Sequence, residues 1–336
     1  MITISICMIV KNEEEFLARC LDSVKDLAEE IIIVDTGSTD KTKEIAAQYT
    51  SKIYDFTWIG DFSAARNFAF SKATKEYIYS VDADEVVDEA NRQRFMDLKK
   101  TLLPEIDIVQ MKYGNQLEFG TIYNFDEEYR PKLFKRIRTF QWIDPIHETI
   151  LVEPVIYDSD IVIGHFPKEN HAKRDLQVFG KMAGEQEYLS KRLHNLYAKE
   201  LFVSGENEDF EEAGEFFSLS AKDIRRSPEE IMEACCVAAK AARLKGNTID
   251  FFTYALKAVA QEGCSEICCE LGFFYEERED FEEAVVWYYN AAYETEPILA
   301  LKTRDEIPLQ GLIRCYSAIG LCEQAQEYKN ELEKRN

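Results

Sequence analysis

The chain has 336 residues, 46% of them hydrophobic and 31% charged, with a formal charge of −23. That length suggests two domains of roughly 100–200 residues each, and the composition excludes a disordered chain. So negative a surface repels phosphate backbones and anionic lipid, which argues against nucleic acid or a membrane as the main partner.

Residues 2–10 are apolar and are followed by Lys11-Asn12-Glu13-Glu14-Glu15. The stretch lacks a basic leader and is too short to span a bilayer, so the expectation is a first strand and not a signal peptide. No other segment approaches the ~18 uninterrupted apolar residues of a transmembrane helix. The nine cysteines include no CxxC pair. Buried free thiols in a reducing compartment are expected, and hence a cytoplasmic location. The composition is compatible with a homo-oligomer.

The first hundred residues alternate. Strands are expected at 3–10, 30–34, 52–58 and 77–81, and helices at 15–27, 41–49 and 63–74. Such alternation implies crossover connections and a mainly parallel sheet covered on both faces. From 106 to 165 the pattern changes to short β-rich runs at 106–113, 121–124, 132–136, 140–143 and 161–165. These read as mixed or antiparallel strands added to the sheet.

After about Lys173 the chain reads as helical and repetitive. Asp209-Phe210-Glu211-Glu212-Ala213 recurs as Asp280-Phe281-Glu282-Glu283-Ala284. Residues 235–258 align with 268–291 at a shift of 33, and 311–316 with 322–328 form a further helix pair. A period near ~34 with Leu271-Gly272 and Tyr275 resembles the tetratricopeptide repeat, whose helical hairpins bury their faces by stacking on neighbours. One spacing is stretched between the third and fourth units. The competing reading is a non-repeating helical bundle. The expected domains are 1–175, α/β, and 176–336, all-α.

The segment richest in chemistry is Val81-Asp82-Ala83-Asp84-Glu85, where a buried strand runs into two aspartates. In extended chain, positions i and i+2 share a face, so both carboxylates can enter one site. Carboxylates suit Mg²⁺ or Mn²⁺, and ligands of open α/β sheets bind beyond the carboxyl ends of strands. In a chain with 63 acidic residues the triplet alone is a weak signal; it also fits a strand end before a helix capped near Asp88. The context is stronger. Asp35 ends the second strand and can accept hydrogen bonds from a nucleoside, Gly37 allows close backbone approach, and Thr39 or Asp40 can cap the next helix. Val10, Asn12 and Glu13 end the first strand at the same edge.

Four motifs in this order resemble glycosyltransferase family 2, inverting enzymes of the GT-A fold. They are Cys7-Met8-Ile9-Val10-Lys11-Asn12-Glu13-Glu14, Val34-Asp35-Thr36-Gly37-Ser38-Thr39-Asp40, Asp61-Phe62-Ser63-Ala64-Ala65-Arg66-Asn67, and the triplet. The resemblance covers residues 3–100 and implies a Rossmann-like nucleotide-diphospho-sugar transferase domain. In it Asp35 contacts base or ribose, Arg66 and Asn67 lie beside the donor, and Asp82-Ala83-Asp84 binds the metal–diphosphate. The donor implied is a UDP-sugar with Mn²⁺ or Mg²⁺. The coupling to helical repeats resembles a bacterial subgroup, some of whose members glycosylate peptides or proteins. Inverting transfer needs a carboxylate to deprotonate the acceptor and a metal to stabilise the leaving diphosphate. Trp142-Ile143-Asp144-Pro145-Ile146-His147-Glu148 supplies the candidates. Asp144 or Glu148 is the expected base, and His147 an additional metal ligand or diphosphate contact. On a strand, His147 and Glu148 face opposite sides and split these roles. His165, at a strand end before Pro167, is a further candidate. Most aromatics near these motifs (Trp58, Phe62, Tyr113, Tyr123, Trp142) are expected to pack in the core.

A dehydrogenase wants Gly-x-Gly-x-x-Gly after its first strand, and a nucleotide hydrolase a Gly-rich loop with Lys-Ser/Thr; neither is present. The alternative of another class is a repeat-based interaction scaffold whose first domain binds a nucleotide-sugar without catalysis.

Overall fold

The computed structural model describes residues 1–114, 128–137, 142–143, 149–150, 154–166, 172–185 and 188–335. They divide into two compact units, Met1–Asn170 and His171–Asn336. The division precedes the expected boundary after residue 175 because the first helix of the second unit already begins at Ala172.

The first unit runs β1 (Ile4–Val10), α1 (Leu17–Val24), β2 (Glu30–Asp35), α2 (Thr42–Ala46), β3 (Ile53–Asp55), α3 (Phe62–Lys72), β4 (Tyr77–Ser80), β5 (Glu85–Val86) and α4 (Glu89–Thr101). It continues with β6 (Ile108–Gly114), β7 (Glu128–Lys135), β8 (Trp142–Ile143), β9 (Thr149–Ile150) and β10 (Ile156–His165). Eight strands form one sheet in the order β3-β2-β1-β4-β7-β6-β10-β5. The β3-β2-β1-β4 half is parallel. β7 enters antiparallel between β4 and β6, β10 runs parallel to β6, and β5 is antiparallel to β10. β8 and β9 pair separately.

Alternation along β1 explains why both faces are covered. Ile4, Ile6 and Met8 pack into one core with Leu17 and Leu21 of α1 and Phe95 of α4. Cys7 points the other way, into a second core with Ala69 of α3, Phe134 and Trp142. Each fully buried aliphatic or aromatic side chain stabilises by about 1.5–3 kcal/mol, so two such layers fix the register of the sheet. Asp61 caps α3 by accepting from Ala64 N at 3.0 Å, and Asp88 caps α4 by accepting from Asn91 N at 2.8 Å. The α2 helix is shorter than expected because residues 48 and 49 close with tight bonds, Gln48 N to Ile45 O and Tyr49 N to Ala46 O.

The second unit is helical throughout its regular elements: α5 (Ala172–Glu185), α6 (Lys191–Ser204), α7 (Asn207–Ser220), α8 (Pro228–Leu244), α9 (Thr248–Val259), α10 (Ser265–Glu276), α11 (Phe281–Tyr289), a π-turn at Asn290–Glu294, α12 (Lys302–Asp305), α13 (Ile307–Ala318) and α14 (Cys322–Arg335). The recurring Asp-Phe-Glu-Glu-Ala segments sit at the starts of α7 and α11. The segments aligned at a shift of 33 fall on the pairs α8/α9 and α10/α11. Glycine spacing has a physical cause. Tyr288 of α11 is fully buried, and a Cβ at Gly272 of α10 or Gly311 of α13 would lie 2.6 Å from its ring. The two bare backbones flank opposite edges of one aromatic ring. The stretched spacing contains the π-turn and α12. There the buried carboxylate of Glu266 accepts from the backbone N–H groups of Ile298, Leu299 and Ala300.

The architecture is thus the expected one, an α/β, Rossmann-like GT-A-type domain followed by an all-α unit. Among the described residues no helix is long and apolar enough to cross a membrane. Eight cysteines are buried as free thiols and Cys322 is exposed.

Candidate functional site

Polar groups collect where β1, β2 and β4 end, at one edge of the sheet. The tips of β1 and β2 are tied together. Val10 O accepts from Thr36 N at 3.0 Å, Asn12 Oδ1 accepts from Thr39 N at 2.8 Å, and Ser38 Oγ accepts from Asn12 N at 2.9 Å. Glu13 N donates to Thr42 Oγ1 at 2.7 Å, and Glu14 N to Asp40 Oδ2 at 3.1 Å. Asn12 adopts φ 57°, a conformation that asparagine tolerates. Asn12 and Glu13 therefore stand at the expected edge, where they fasten one loop to the next. Asp40 Oδ1 also accepts from Thr42 N at 3.0 Å, a turn contact; the N-cap position of α2 falls on Lys41 and has no side-chain cap bond, so the capping role expected of Thr39 or Asp40 is not met.

Asp35 ends β2 and is 2% exposed. Its Oδ1 accepts from Gly37 N at 3.0 Å and Ser38 N at 2.9 Å, which curls the loop back over the strand. Its Oδ2 is buried without a hydrogen-bond partner among the described residues. A buried acceptor left unmade costs about 1–3 kcal/mol and marks a place where a donor is wanted. Gly37 has φ +108°, and nothing lies within 4 Å of where a Cβ would project. The glycine is required for its backbone, and the space beside it is open.

Arg66 and Asn67 lie on α3, as expected, but their partners are protein groups. Arg66 Nη1 donates to Ser80 Oγ at 2.8 Å and Nη2 to Asp82 Oδ1 at 3.2 Å, while the guanidinium lies 5.2 Å from the Trp142 ring. Asn67 presents its amide to the Trp142 backbone, donating to the carbonyl and accepting from the N–H, both at 2.9 Å. The Asn67 side chain thus acts like a short strand that anchors β8 on α3.

The aspartates are not brought together by strand alternation. β4 stops at Ser80, and the chain turns through Asp82, Ala83 and Asp84, closed by Glu85 N donating to Asp82 O at 3.2 Å. The i, i+2 argument therefore fails, and the two carboxylates face different partners. Asp82 lies between Arg66 and Lys132, whose Nζ is 3.6 Å from Oδ2. Although burial opposes it, these two cations hold its carboxyl well below the usual carboxylate range. Asp84 Oδ2 instead meets His165 Nε2 at 3.0 Å. Glu85, 1% exposed, pairs with Lys132; burial pushes its carboxyl up while the ammonium opposes the shift. Tyr113 floors the cluster, 4.9 Å from the His165 ring and 5.0 Å from Lys132 Nζ. Val10, at the end of β1, and Ala83, in the turn after β4, are buried.

Lys132, Glu85 and Tyr113 were not legible as site residues from spacing; His165 was, as a histidine at a strand end. Of the expected base and ligand cluster, Asp144, His147 and Glu148 lie outside the described residues, as does Tyr123. Their flanks are described: β8 and β9 pair with Trp142 opposite Ile150 and Ile143 opposite Thr149. Tyr113 and Trp142 are buried in the core, the role expected of most of these aromatics, whereas Trp58 and Phe62 pack on each other at 4.7 Å and are only half-buried.

A divalent cation fits this edge. No group of three or more His, Cys, Asp or Glu side chains is preassembled for a metal among the described residues. Mg²⁺ and Mn²⁺ do not need one, since such ions take one or two carboxylates and complete their shell with water and substrate phosphates. Asp84 and His165 meet there, their side chains 18% and 22% exposed.

The chain is similar in sequence to known glycosyltransferases. Residues 5–150 match the family model described as glycosyl transferase family 2. Over 186 residues the chain is 30% identical to the SPbeta prophage-derived glycosyltransferase SunS of Bacillus subtilis, covering 51% of this chain and 42% of that protein. It is 51% identical over 85 residues to a TPR repeat-containing protein of Synechococcus elongatus, 25% of this chain and 21% of that one. The glucosyl-3-phosphoglycerate synthase of Mycobacterium tuberculosis, solved with Mg²⁺ and UDP, aligns with a TM-score of 0.41 at 15% identity, over 56% of this chain and 81% of that one. The chain spans less than half the length of these two curated relatives. The similarity to glycosyl transferase family 2 thus falls on the first unit, over residues 5–150.

Proposed function

We propose that the chain is a metal-dependent, inverting glycosyltransferase that moves a sugar from a nucleotide-sugar, a UDP-sugar by resemblance, to an acceptor. The observation that carries this reading is the convergence at one sheet edge of an unsatisfied buried oxygen on Asp35 with the Asp84–His165 pair and the Asp82–Arg66 pair. The Asp35 carboxylate suits a base or ribose donor, and Val10, Asn12, Glu13 and Gly37 form the wall beside it. Asp82, Asp84 and His165 would hold Mn²⁺ or Mg²⁺, which supplies charge neutralisation of the departing diphosphate. Arg66, already at the edge, is placed to bring positive charge to a phosphate oxygen.

The acceptor atom loses its proton to a carboxylate and forms a bond to the anomeric carbon, while the bond from that carbon to the diphosphate oxygen breaks. Asp144 or Glu148 is the proposed base, with His147 beside it. The support is positional: β8, which leads into them, is anchored on α3 next to Arg66 through Asn67 and Trp142. The helical unit, read as tetratricopeptide-like, is proposed to bind a peptide or protein acceptor. Eight buried free thiols favour a reducing, cytoplasmic setting.

The test is to titrate the full chain with UDP and with a panel of UDP-sugars, with and without Mn²⁺, and to follow slow release of UDP. Metal-dependent binding and hydrolysis are expected. Absence of both would favour the scaffold reading, in which the repeats act alone.

A further inference from the structure

One buried cation at this edge has no part in the chemistry just described. Lys132 belongs to β7, and its side chain is 6% exposed. It owes its direction to an irregularity in the strand. Val109 and Gln110, neighbours on β6, lie opposite Leu133 and Pro131 of β7, so Lys132 is the extra residue of a β-bulge. Pro131 has no N–H to give to a ladder, and bulges are where a strand accommodates proline. A bulge re-aims the side chain it carries. Here the ammonium arrives between two carboxylates from the turn after β4: it pairs with Glu85, and it stands 3.6 Å from Asp82 Oδ2. Arg66 holds the other oxygen of Asp82, at 3.2 Å. Glu85 Oε2 has no hydrogen-bond partner among the described residues, so Lys132 is the only cation seen on that buried carboxylate.

We propose that Lys132 is a positioning residue of the metal–diphosphate site: the bulge delivers its ammonium between Glu85 and Asp82, withdrawing the third carboxylate from the cation and clamping Asp82 against Arg66. The proposal rests on the reading of the Asp82–Asp84 edge given above. Three carboxylates within four residues would otherwise compete for one divalent ion. With Glu85 neutralised in the interior and Asp82 held in one orientation between Arg66 and Lys132, Asp82 and Asp84 are the two carboxylates left to the cation. The ion then has one preferred seat. A bland role exists, namely that Lys132 and Glu85 are a buried ion pair that serves packing alone, and the two roles separate experimentally.

Replacing both partners of a buried pair leaves no unpaired charge and is often neutral for stability. The experiment is therefore the full-length double variant Glu85→Gln/Lys132→Met, with UDP binding measured by calorimetry in Mn²⁺ and in chelator, and Mn²⁺ binding by electron paramagnetic resonance. The double variant should fold, lose about 10–100-fold in Mn²⁺-dependent UDP affinity, the usual effect of removing a group that orients metal ligands, and keep its metal-free UDP affinity. Lys132→Arg should retain the wild-type metal dependence. Wild-type Mn²⁺ and UDP affinities in the double variant would overturn the positioning role and leave the site itself standing. A wild-type chain that binds UDP with no dependence on Mn²⁺ would overturn the site reading, and this inference with it. Should the double variant not fold, Lys132→Gln decides instead, because it removes the charge beside Asp82 while keeping a hydrogen-bonding group in the interior. The same loss is expected there, and wild-type affinity would overturn the role.

Discussion

Both units bury ionisable groups, and they finish the job differently. In the helical unit the networks largely close on themselves, with Arg226 Nε the one buried side-chain polar atom left without a hydrogen-bond partner there among the described residues. His194, fully buried on α6, has Glu233 of α8 at 3.0 Å on one nitrogen and Ser220 of α7 at 2.9 Å on the other. Arg243 reaches Glu270 at 2.7 Å, and Glu266 takes three backbone N–H groups. In the sheet unit the strand-end carboxylates keep spare capacity: Asp35 Oδ2 and Glu85 Oε2 are buried without hydrogen-bond partners, and Asp82 and Asp84 stay partly open to solvent. Closed networks hold helices together. Spare polar capacity, gathered at one edge, is what a ligand can use.

The contrast can be broken by substitution. The largest effect is expected at the edge: Asp84→Ala or Asp82→Ala should lower Mn²⁺-dependent release of UDP from a UDP-sugar by about 100-fold or more with little change in melting temperature. Full activity of Asp82→Ala in the presence of a chelator would sever the aspartates from the chemistry. Next comes the helical unit, where the opposite pattern is expected. His194→Leu strands Ser220 and Glu233 in the interior and should cost about 2–5 kcal/mol in urea unfolding, while UDP release per folded molecule stays unchanged. Loss of activity without loss of stability would undo the division of labour between the units.

A pH experiment sharpens the same point. Burial, and then the neighbouring Asp175, push the Glu200 carboxyl on α6 up to about 7, from an ordinary value of 4.5. The folded chain thus holds this proton more tightly than the unfolded chain. Stability is lost as pH rises from about 4.5 to about 7 and levels off above. Glu200→Gln removes that loss, and its advantage over the wild type should grow between pH 5 and pH 8 to about 2–3 kcal/mol. A pH-independent difference would show that Glu200 is not the group responsible. The smallest effect expected is that of Gly272→Ala, which sets a methyl against the Tyr288 ring and should cost about 1–3 kcal/mol by overpacking. An unchanged melting temperature would mean that Tyr288 has room to retreat.

Much of this was legible in the sequence because it is periodic or local. Apolar runs placed β1, β2 and β4, a capping residue near Asp88 placed α4, and a shift of 33 placed two helix pairs. The site was legible in outline only. Asp35 and Asp82-Ala83-Asp84 mark strand ends, but which way a turn sends two carboxylates depends on Lys132 and His165, distant in sequence and joined only by the sheet order. Pro131, between Arg130 and Lys132, was the one local sign of the bulge. The two-residue strands β5 and β9 are too short for any periodicity. Arg66 and Asn67 carry the right chemistry for a donor, yet Asn67 holds Trp142, and that contact crosses 75 residues of chain.

The distribution of thiols has a practical consequence. Eight of nine sulfurs are sealed in the interior, and Cys322 alone stands open at the start of the last helix. A maleimide dye offered to the native protein will find a single address, with no need to strip the others by mutagenesis. The chain thus comes with its own attachment point for a fluorescent reporter, sited on the helical unit that is proposed to greet the acceptor.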